Sequence, residues 1–581
     1  MTGERQMAAY DLVLRGGLIV DGSGDEPFTG DVALSGGRIA AVGRVDGPGL
    51  HEIDATGRIV TPGFVDIHTH YDGQAVWSER MTPSSAHGVT TVVIGNCGVG
   101  FAPCRAADHD LLIEVMEGVE DIPGVVMAEG LPWDWETFPE FLDTLAARPR
   151  DIDVAAYLPH SPLRVYAMGA RGAAREAATS DDLRRMRDLA REAVEAGALG
   201  FATSRTFIHR TANGTPIPSF EASGEELAAI AMGLADAGAG IVQAVMDVPQ
   251  RSWDEELAML RDVIRRSGRP ATFTFGAPNG GPPIWRPVLD ALDEAQAAGE
   301  VLSAQIFPRP IGMIVGLELS THPFALSPSF QPIARLPLAE KVAALRDPAM
   351  RARLIAEQPA VGHPLAAMGR SWPFMFPLGD PPVYEPAASE SVAARAVCAG
   401  VTPEEIAYDL LLEEGGRAML YVALGNFHEN RLDAVREIMA HPATVLGLGD
   451  GGAHYGSICD ASYPTFMLAY WVRDRANGFP LAQAVRMLAR DPAMVVGLAD
   501  RGLIAPGYKA DLNVIDLDRV ALHKPMLRSD LPAGGRRLDQ GADGYDLTIV
   551  AGEIIAERGA PTAARPGRLV RGAQAAPATA A

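Results

Sequence analysis

The sequence predicts an α/β chain of two parts: a TIM-like (β/α)8 barrel, and a small β-sandwich domain assembled from both chain ends. Three observations lead there. Between residues 63 and 490, apolar runs of strand length alternate with helical patterns, the mark of βα units around a parallel sheet. Eight such runs can be picked out, which fits a closed barrel. The regions outside them, 8–62 and 491–565, read instead as short strands and glycine-rich turns.

From Tyr10 to Ile59 the pattern is strand, turn, strand, as in Asp11-Leu-Val-Leu, Gly17-Leu-Ile-Val and Arg38-Ile-Ala-Ala-Val. This sheet cannot close on itself, and the completing strands lie near the other end, in 510–516 and 546–555. The eight barrel candidates are Phe64 to His68, Thr90 to Ile94, Val154 to Leu158, Ala198 to Thr203, Gly240 to Val245, Ala271 to Phe275, Val301 to Ile306 and Thr444 to Gly447. Helices are clearest from Ser180 to Ala196, with Ser180 as the expected cap, and from Gly224 to Ala237. An insertion over about 308–443 separates the last two barrel strands and is expected to fold over the barrel mouth, where this fold places its active sites. The Ala-rich tail, 566–581, is expected to be disordered.

A formal net charge of -23 argues against nucleic acid and against anionic membranes as partners. The four cysteines, Cys97, Cys104, Cys398 and Cys459, are too sparse for a disulfide framework, which favours a reducing compartment. With no apolar leader and no run long enough to span a bilayer, a cytoplasmic protein is the expectation, and a homo-oligomer stays open.

The chemistry gathers around Pro62-Gly-Phe-Val-Asp-Ile-His-Thr-His70. A two-residue side-chain period puts Asp66, His68 and His70 on one face. Two imidazoles at a strand end can grip one metal ion, and Asp66 could hold a ring N–H behind them. By itself His-x-His is weak, and two histidines with no metal is the competing reading.

Residues 10–70, with Thr61-Pro62-Gly63 leading into the histidines, resemble the opening of the amidohydrolase superfamily, and within it the N-acyl-D-amino acid deacylases. Gly95-Asn-Cys97-Gly98 resembles a motif whose cysteine binds metal; an inert buried thiol is the alternative. Leu446-Gly-Leu-Gly-Asp450-Gly-Gly-Ala-His454 resembles the position of the family's proton-shuttling aspartate, and Gly502 to Asp516 its return into the β-domain. The resemblance therefore implies a metal-dependent hydrolase barrel that cleaves a non-peptide carbon–nitrogen bond. It implies one zinc ion on His68, His70 and Cys97, with Asp450 or Asp247 as further ligand candidates. Metal-activated water is the nucleophile, and Asp450 is the catalytic acid and base.

The same resemblance suggests a small amide substrate and places His160 beside it; Arg205, His209 and Arg210 form a basic cluster that suits a substrate carboxylate, although surface arginines are usually just solvated, and Asp247, Arg309 and His454 are further substrate-binding candidates. For His160 a purely structural role at the barrel rim is the alternative. Deacylases carry a metal-binding histidine at the ends of strands five and six, where this chain aligns Val245 and Phe275. No lysine precedes Lys341, which removes the carboxylated-lysine subclass. These departures leave two alternatives: a different reaction on the same scaffold, such as cyclic amide hydrolysis or decarboxylation, and a metal-poor, non-catalytic binder of a small ligand.

Overall fold

The computed structural model describes residues 9–248, 250–358 and 368–578. Eight short parallel strands follow one another in chain order: β1 (Phe64–Asp66), β2 (Val89–Ile94), β3 (Asp153–Ala156), β4 (Gly200–Ser204), β5 (Ile241–Val245), β6 (Ala271–Thr274), β7 (Leu302–Ile306) and β8 (Thr444–Leu446). Each matches an expected barrel strand to within a few residues. Their registers run in parallel from β1 to β3, through the extension Leu158–Pro159 onto β4, and on to β8. Beyond β8 the chain bonds back to the first strand's exit: the Asp450 amide donates to the His68 carbonyl at 3.1 Å, and the His70 amide to the Gly451 carbonyl at 2.8 Å.

The inside of the barrel is a packed floor, because inward side chains of alternate strands fill it in layers. Val65, Ile67, Val93, Tyr157, Ala202, Ile241 and Val445 form one buried cluster. The site therefore sits on an apolar plug and can open only at the carboxyl ends of the strands.

Both chain ends meet in one nine-stranded sheet. Ile59–Pro62 pairs antiparallel with Leu512–Ile515, which in turn pairs with Tyr545–Val550. This join holds the strand directly before β1, so the histidine-bearing segment leaves a sheet anchored on both sides.

The insertion is a small unit with its own core. Ile311–Val315, Leu420–Gly425 and Met375–Pro377 form a three-stranded antiparallel sheet with Leu420–Gly425 in the middle. Met313, Val315, Leu345, Tyr408, Leu420 and Val422 pack there into a cluster of their own. It leans on the mouth, since the Ile314 amide donates to the Ser457 carbonyl at 2.7 Å and the Ser320 amide to the Gly456 carbonyl at 3.0 Å.

Two expectations change. The helix Ser180–Ala196 is capped by Thr179, not Ser180, with Asp182 reciprocating as its third residue. The tail is paired, not loose, as far as residue 574. The Val570 amide donates to the Val154 carbonyl, the Gly572 amide to that of Gly197 and the Gln574 amide to that of Gly497, each at 2.8 Å. Tail residues 579–581, and residue 8 at the other end, lie outside the described residues. Among the described residues no helix is long and apolar enough to cross a membrane, and all four cysteines are free.

Candidate metal centre

His68 and His70 leave the end of β1 fully buried, with their rings in an edge contact 5.5 Å apart. Cys97 follows β2 in the turn Asn96–Gly98, in the left-handed region at φ +57°. Gly98 beside it is also left-handed, and a Cβ there would run into the backbone of Thr203, so the turn can press the thiol inward only with glycine at 98. The cysteine sulfur lies 3.3 Å from His68 Nε2. One donor atom from each of His68, His70 and Cys97 lies within 4.8 Å of the others, the spread of one ion's coordination shell.

Asp450 closes the group from β8. Its Oδ1 stands 3.7 Å from Nε2 of both His68 and His70. The glycines after it are demanded by space, since a Cβ at 451 or 452 would collide with Tyr71, and one at 452 also with the His70 backbone. Asp450 is itself left-handed at φ +46°, as His454 is at +52°. Strained non-glycine backbone of this sort gathers where the surroundings over-determine it, often at functional sites.

Behind the first histidine stands a residue that the sequence did not single out. The Oε1 of Gln305, from inside β7, is 2.7 Å from His68 Nδ1. An amide oxygen only accepts, so Nδ1 carries the proton and Nε2 keeps its lone pair for the site. Asp66 does not hold this ring as expected. Its Oδ1 accepts the His68 backbone amide at 3.1 Å, and its Oδ2 lies so close to Gly449 that a Cβ there would overlap it. Gln243 in β5 faces the same centre, with Oε1 accepting the Cys97 amide at 3.2 Å.

The electrostatics suit a cation. Burial pushes Asp66 and Asp72 up to about 7, and raises Glu120 and Asp450 well above the carboxylate range. Burial also holds His68 down to about 4 and His70 well below its ordinary value, with His454 and His209 close enough to lower His70 further. Four desolvated acids and two imidazoles of lowered pKa lie close together here, and a divalent ion would offset the negative charge of those nearest the rings, Glu120 and Asp450. The donor set, two imidazole nitrogens and one thiol with a carboxylate beside them, is the kind that zinc takes.

The substrate-binding candidates divide. His454 and His209 lie near the centre, His454 with Nε2 3.4 Å from Glu120. The others are engaged elsewhere. Burial lowers the His160 pKa against the pull of Glu226, and the ring is satisfied on both nitrogens, by the Thr203 hydroxyl at 2.8 Å and the Glu226 carboxylate at 2.9 Å. These bonds tie it to the end of β4 and to the helix Gly224–Asp236. Arg205 is buried in a salt bridge to Glu256 at 3.2 Å, on the helix Trp253–Ser267. Arg309 spends its guanidinium on Asp460 at 2.7 Å, the Cys459 carbonyl and Ser462, and lies over the Tyr384 ring at 4.0 Å. Neither arginine is free to take a substrate carboxylate. Asp247 accepts the Phe207 amide at 3.0 Å and ties the loop after β4 to the end of β5, with no metal-binding group formed around it among the described residues. Arg210 lies half-buried on that loop, donating to the Gly214 carbonyl at 3.0 Å.

At the fifth strand's end Val245 shares the inward face of Gln243. At the sixth, Phe275 shares the face of Phe273, and both rings pack on Trp253 in the outer helical layer. The inward position there is Thr274, so neither strand end offers a nitrogen ligand.

Comparison with known proteins agrees with this architecture. The D-aminoacylase of Alcaligenes xylosoxydans xylosoxydans is 28% identical over 524 residues, 88% of this chain and 89% of that protein. The N-acyl-D-glutamate deacylase of the same organism is 28% identical over 576 residues, 97% and 96% of the two chains. A crystal structure of D-aminoacylase superposes with a TM-score of 0.63 at 24% identity, covering 97% of this chain and all of that one. The N-acyl-D-glutamate deacylase of Bordetella bronchiseptica, solved with zinc and a phosphonate inhibitor, gives 0.63 at 24% identity, covering 97% and 99%. The model of the amidohydrolase family matches residues 51–556, which takes in every barrel strand and the site. With that match across most of its length, the chain belongs to the amidohydrolase family, metal-dependent hydrolases of carbon–nitrogen bonds other than peptide bonds.

Proposed function

We propose that this enzyme hydrolyses the amide of an N-acyl amino acid, in the manner of the D-aminoacylases and N-acyl-D-glutamate deacylases it is similar to, using one zinc ion. The observation that carries the reading is the convergence of His68, His70 and Cys97 within 4.8 Å, with Asp450 Oδ1 3.7 Å from both rings. His68, His70 and Cys97 would hold the ion, with Asp450 at its edge. When bound, zinc polarises the amide carbonyl and makes water acidic enough to attack near neutral pH. Asp450 takes the proton from the attacking water on its carboxylate and delivers it to the leaving nitrogen, so amide and water become carboxylate and amine. Its proton affinity, raised by burial, suits it to hold that proton between the two steps. Gln305 keeps the His68 lone pair turned toward the site. His209 and His454 line the mouth on the substrate side, with Arg210 on the loop above as the remaining basic group for a carboxylate.

The strand ends support a single ion, since Val245 and Thr274 offer no nitrogen donor where a second could be gripped. Elemental analysis of protein purified without added metal tests this, alongside His68→Ala and Asp450→Asn. About one zinc per chain, lost in His68→Ala and kept in Asp450→Asn while turnover disappears, is the expected result. Metal lost from both variants would make Asp450 a ligand first and a shuttle second. No zinc in the wild type even after incubation would overturn the mechanism in favour of a non-catalytic binder.

A further inference from the structure

Glu120 is the last residue of the helix His109–Glu120, in the connection between β2 and β3, and it is only 1% exposed. A carboxylate so deep needs partners. Its two oxygens face two histidines: Oε1 stands 3.4 Å from His70 Nδ1, and Oε2 3.4 Å from His454 Nε2. Both Oε1 and His70 Nδ1 are buried, and neither has any other hydrogen-bond partner. Two orphaned groups of complementary chemistry therefore look at each other across a gap that a small ring rotation would turn into a hydrogen bond.

The backbone fixes the same contact. The His454 amide donates to the Glu120 carbonyl. Asp121, left-handed at φ +51°, then turns its carboxylate to the Gly456 amide at 3.3 Å, the Ser457 hydroxyl at 3.0 Å and the Ser320 hydroxyl at 2.8 Å. The helix end is thus bolted to the segment that follows Asp450 and to the insertion, which leaves Glu120 little freedom to point anywhere but at the two rings.

We infer that Glu120 is a positioning residue, which accepts the Nδ1 proton of His70 so that Nε2 faces the ion-binding group, and which holds His454 with its other oxygen. The inference rests on the reading of His68, His70 and Cys97 as the zinc-binding set. Its chemistry is the tautomer rule: an imidazole offers Nε2 as a lone pair only while Nδ1 carries the proton, and an acceptor at Nδ1 selects that form and makes the ring a better donor. Gln305 does this for His68 with a neutral amide. Glu120 does it for His70 with a carboxylate, from a helix about fifty residues further along the chain.

Zinc affinity of the full chain, measured by competition with a chromophoric chelator at one fixed pH, tests the assignment. Glu120→Gln keeps the shape and removes the charge, and is expected to bind zinc about tenfold more weakly, the scale on which such outer partners act. The melting temperature of the metal-stripped protein should stay at the wild-type value, because a merely structural role would move that and not the affinity. Should Glu120→Gln fail to fold, Glu120→Asp makes the same test by withdrawing the carboxylate from both rings. Wild-type affinity in a folded Glu120 variant overturns the assignment. If the wild type binds zinc and His68→Ala does not, that failure is confined to Glu120; if the wild type takes up no zinc, the reading of the site falls, and the role of Glu120 with it.

Discussion

His68 and Arg309 show how differently single residues fare once the chain is folded. His68 is oriented by Gln305 at 2.7 Å and reaches Cys97 at 3.3 Å, so every contact of its ring serves the site. Arg309, as deeply buried, spends both terminal nitrogens on Asp460, Ser462 and a backbone carbonyl, and its charge stiffens the loop beyond Asp450 instead of meeting a substrate. Charge type is visible in a sequence, but whether the charge is already neutralised is not. Gln305→Leu is expected to lower zinc affinity about tenfold with little change in fold, because it removes the acceptor and leaves the shape. Titration with zinc against a chelator reads this directly, and unchanged affinity would show that the His68 tautomer is held some other way.

Among the elements, the insertion departs most from an ordinary barrel connection. It has a sheet and core of its own, and it touches the mouth through Ile314 and Ser320. Stability can therefore be lost there locally while the barrel stands. Leu420 is 1% exposed in the middle strand, and Leu420→Ala is expected to cost about 2–5 kcal/mol within this unit. Faster amide exchange in Ile311–Val315 and Met375–Pro377, with zinc content unaltered, is the expected signature. If exchange instead rises evenly over β1 to β8, the insertion and barrel unfold as one.

On the scale of the whole molecule, the underside of the barrel ties distant segments together. Asp153 at the start of β3 pairs with Arg501 at 2.8 Å and Lys509 at 3.0 Å, and accepts the Arg568 amide at 2.9 Å. Three regions far apart in sequence thus converge on one buried carboxylate: barrel floor, return into the β-domain, and tail. The cationic neighbours outweigh its burial and hold it down to about 2. Its folded-state value lies below the unfolded one, so its contribution is present at neutral pH and is lost as the pH falls toward 2. Asp153→Asn takes one carboxylate from two cations that keep Asp500 and Asp511 as partners, and is expected to cost about 1–3 kcal/mol at pH 7. In denaturant melts the gap between variant and wild type should close on acidification; a gap independent of pH would mean that the loss is steric.

The order of the strands, the completing strands at the far end of the chain, and the long insertion could be read from local patterns, apolar runs of strand length and glycine turns. The histidine pair rested on a spacing of two, while Cys97 and Asp450 were singled out by resemblance to the deacylase motifs, and the structure brings all four together. The missing histidines of the fifth and sixth strands were legible too, although which inward residue replaces the second, Thr274 and not Phe275, needed the face of the strand. Tertiary structure alone decided the partners. Glu120 and Gln305 reach the two histidines from positions about 50 and 237 residues away in sequence, and nothing local marks either as different from any other helix-end acid or strand amide. Arg205, Arg309 and His160 look like free polar groups in the sequence and become engaged ones only when Glu256, Asp460 and Glu226 are brought beside them. The physical reason is common to all of these: backbone geometry is set within a few residues, while hydrogen bonding and desolvation depend on whatever the fold places next to a side chain.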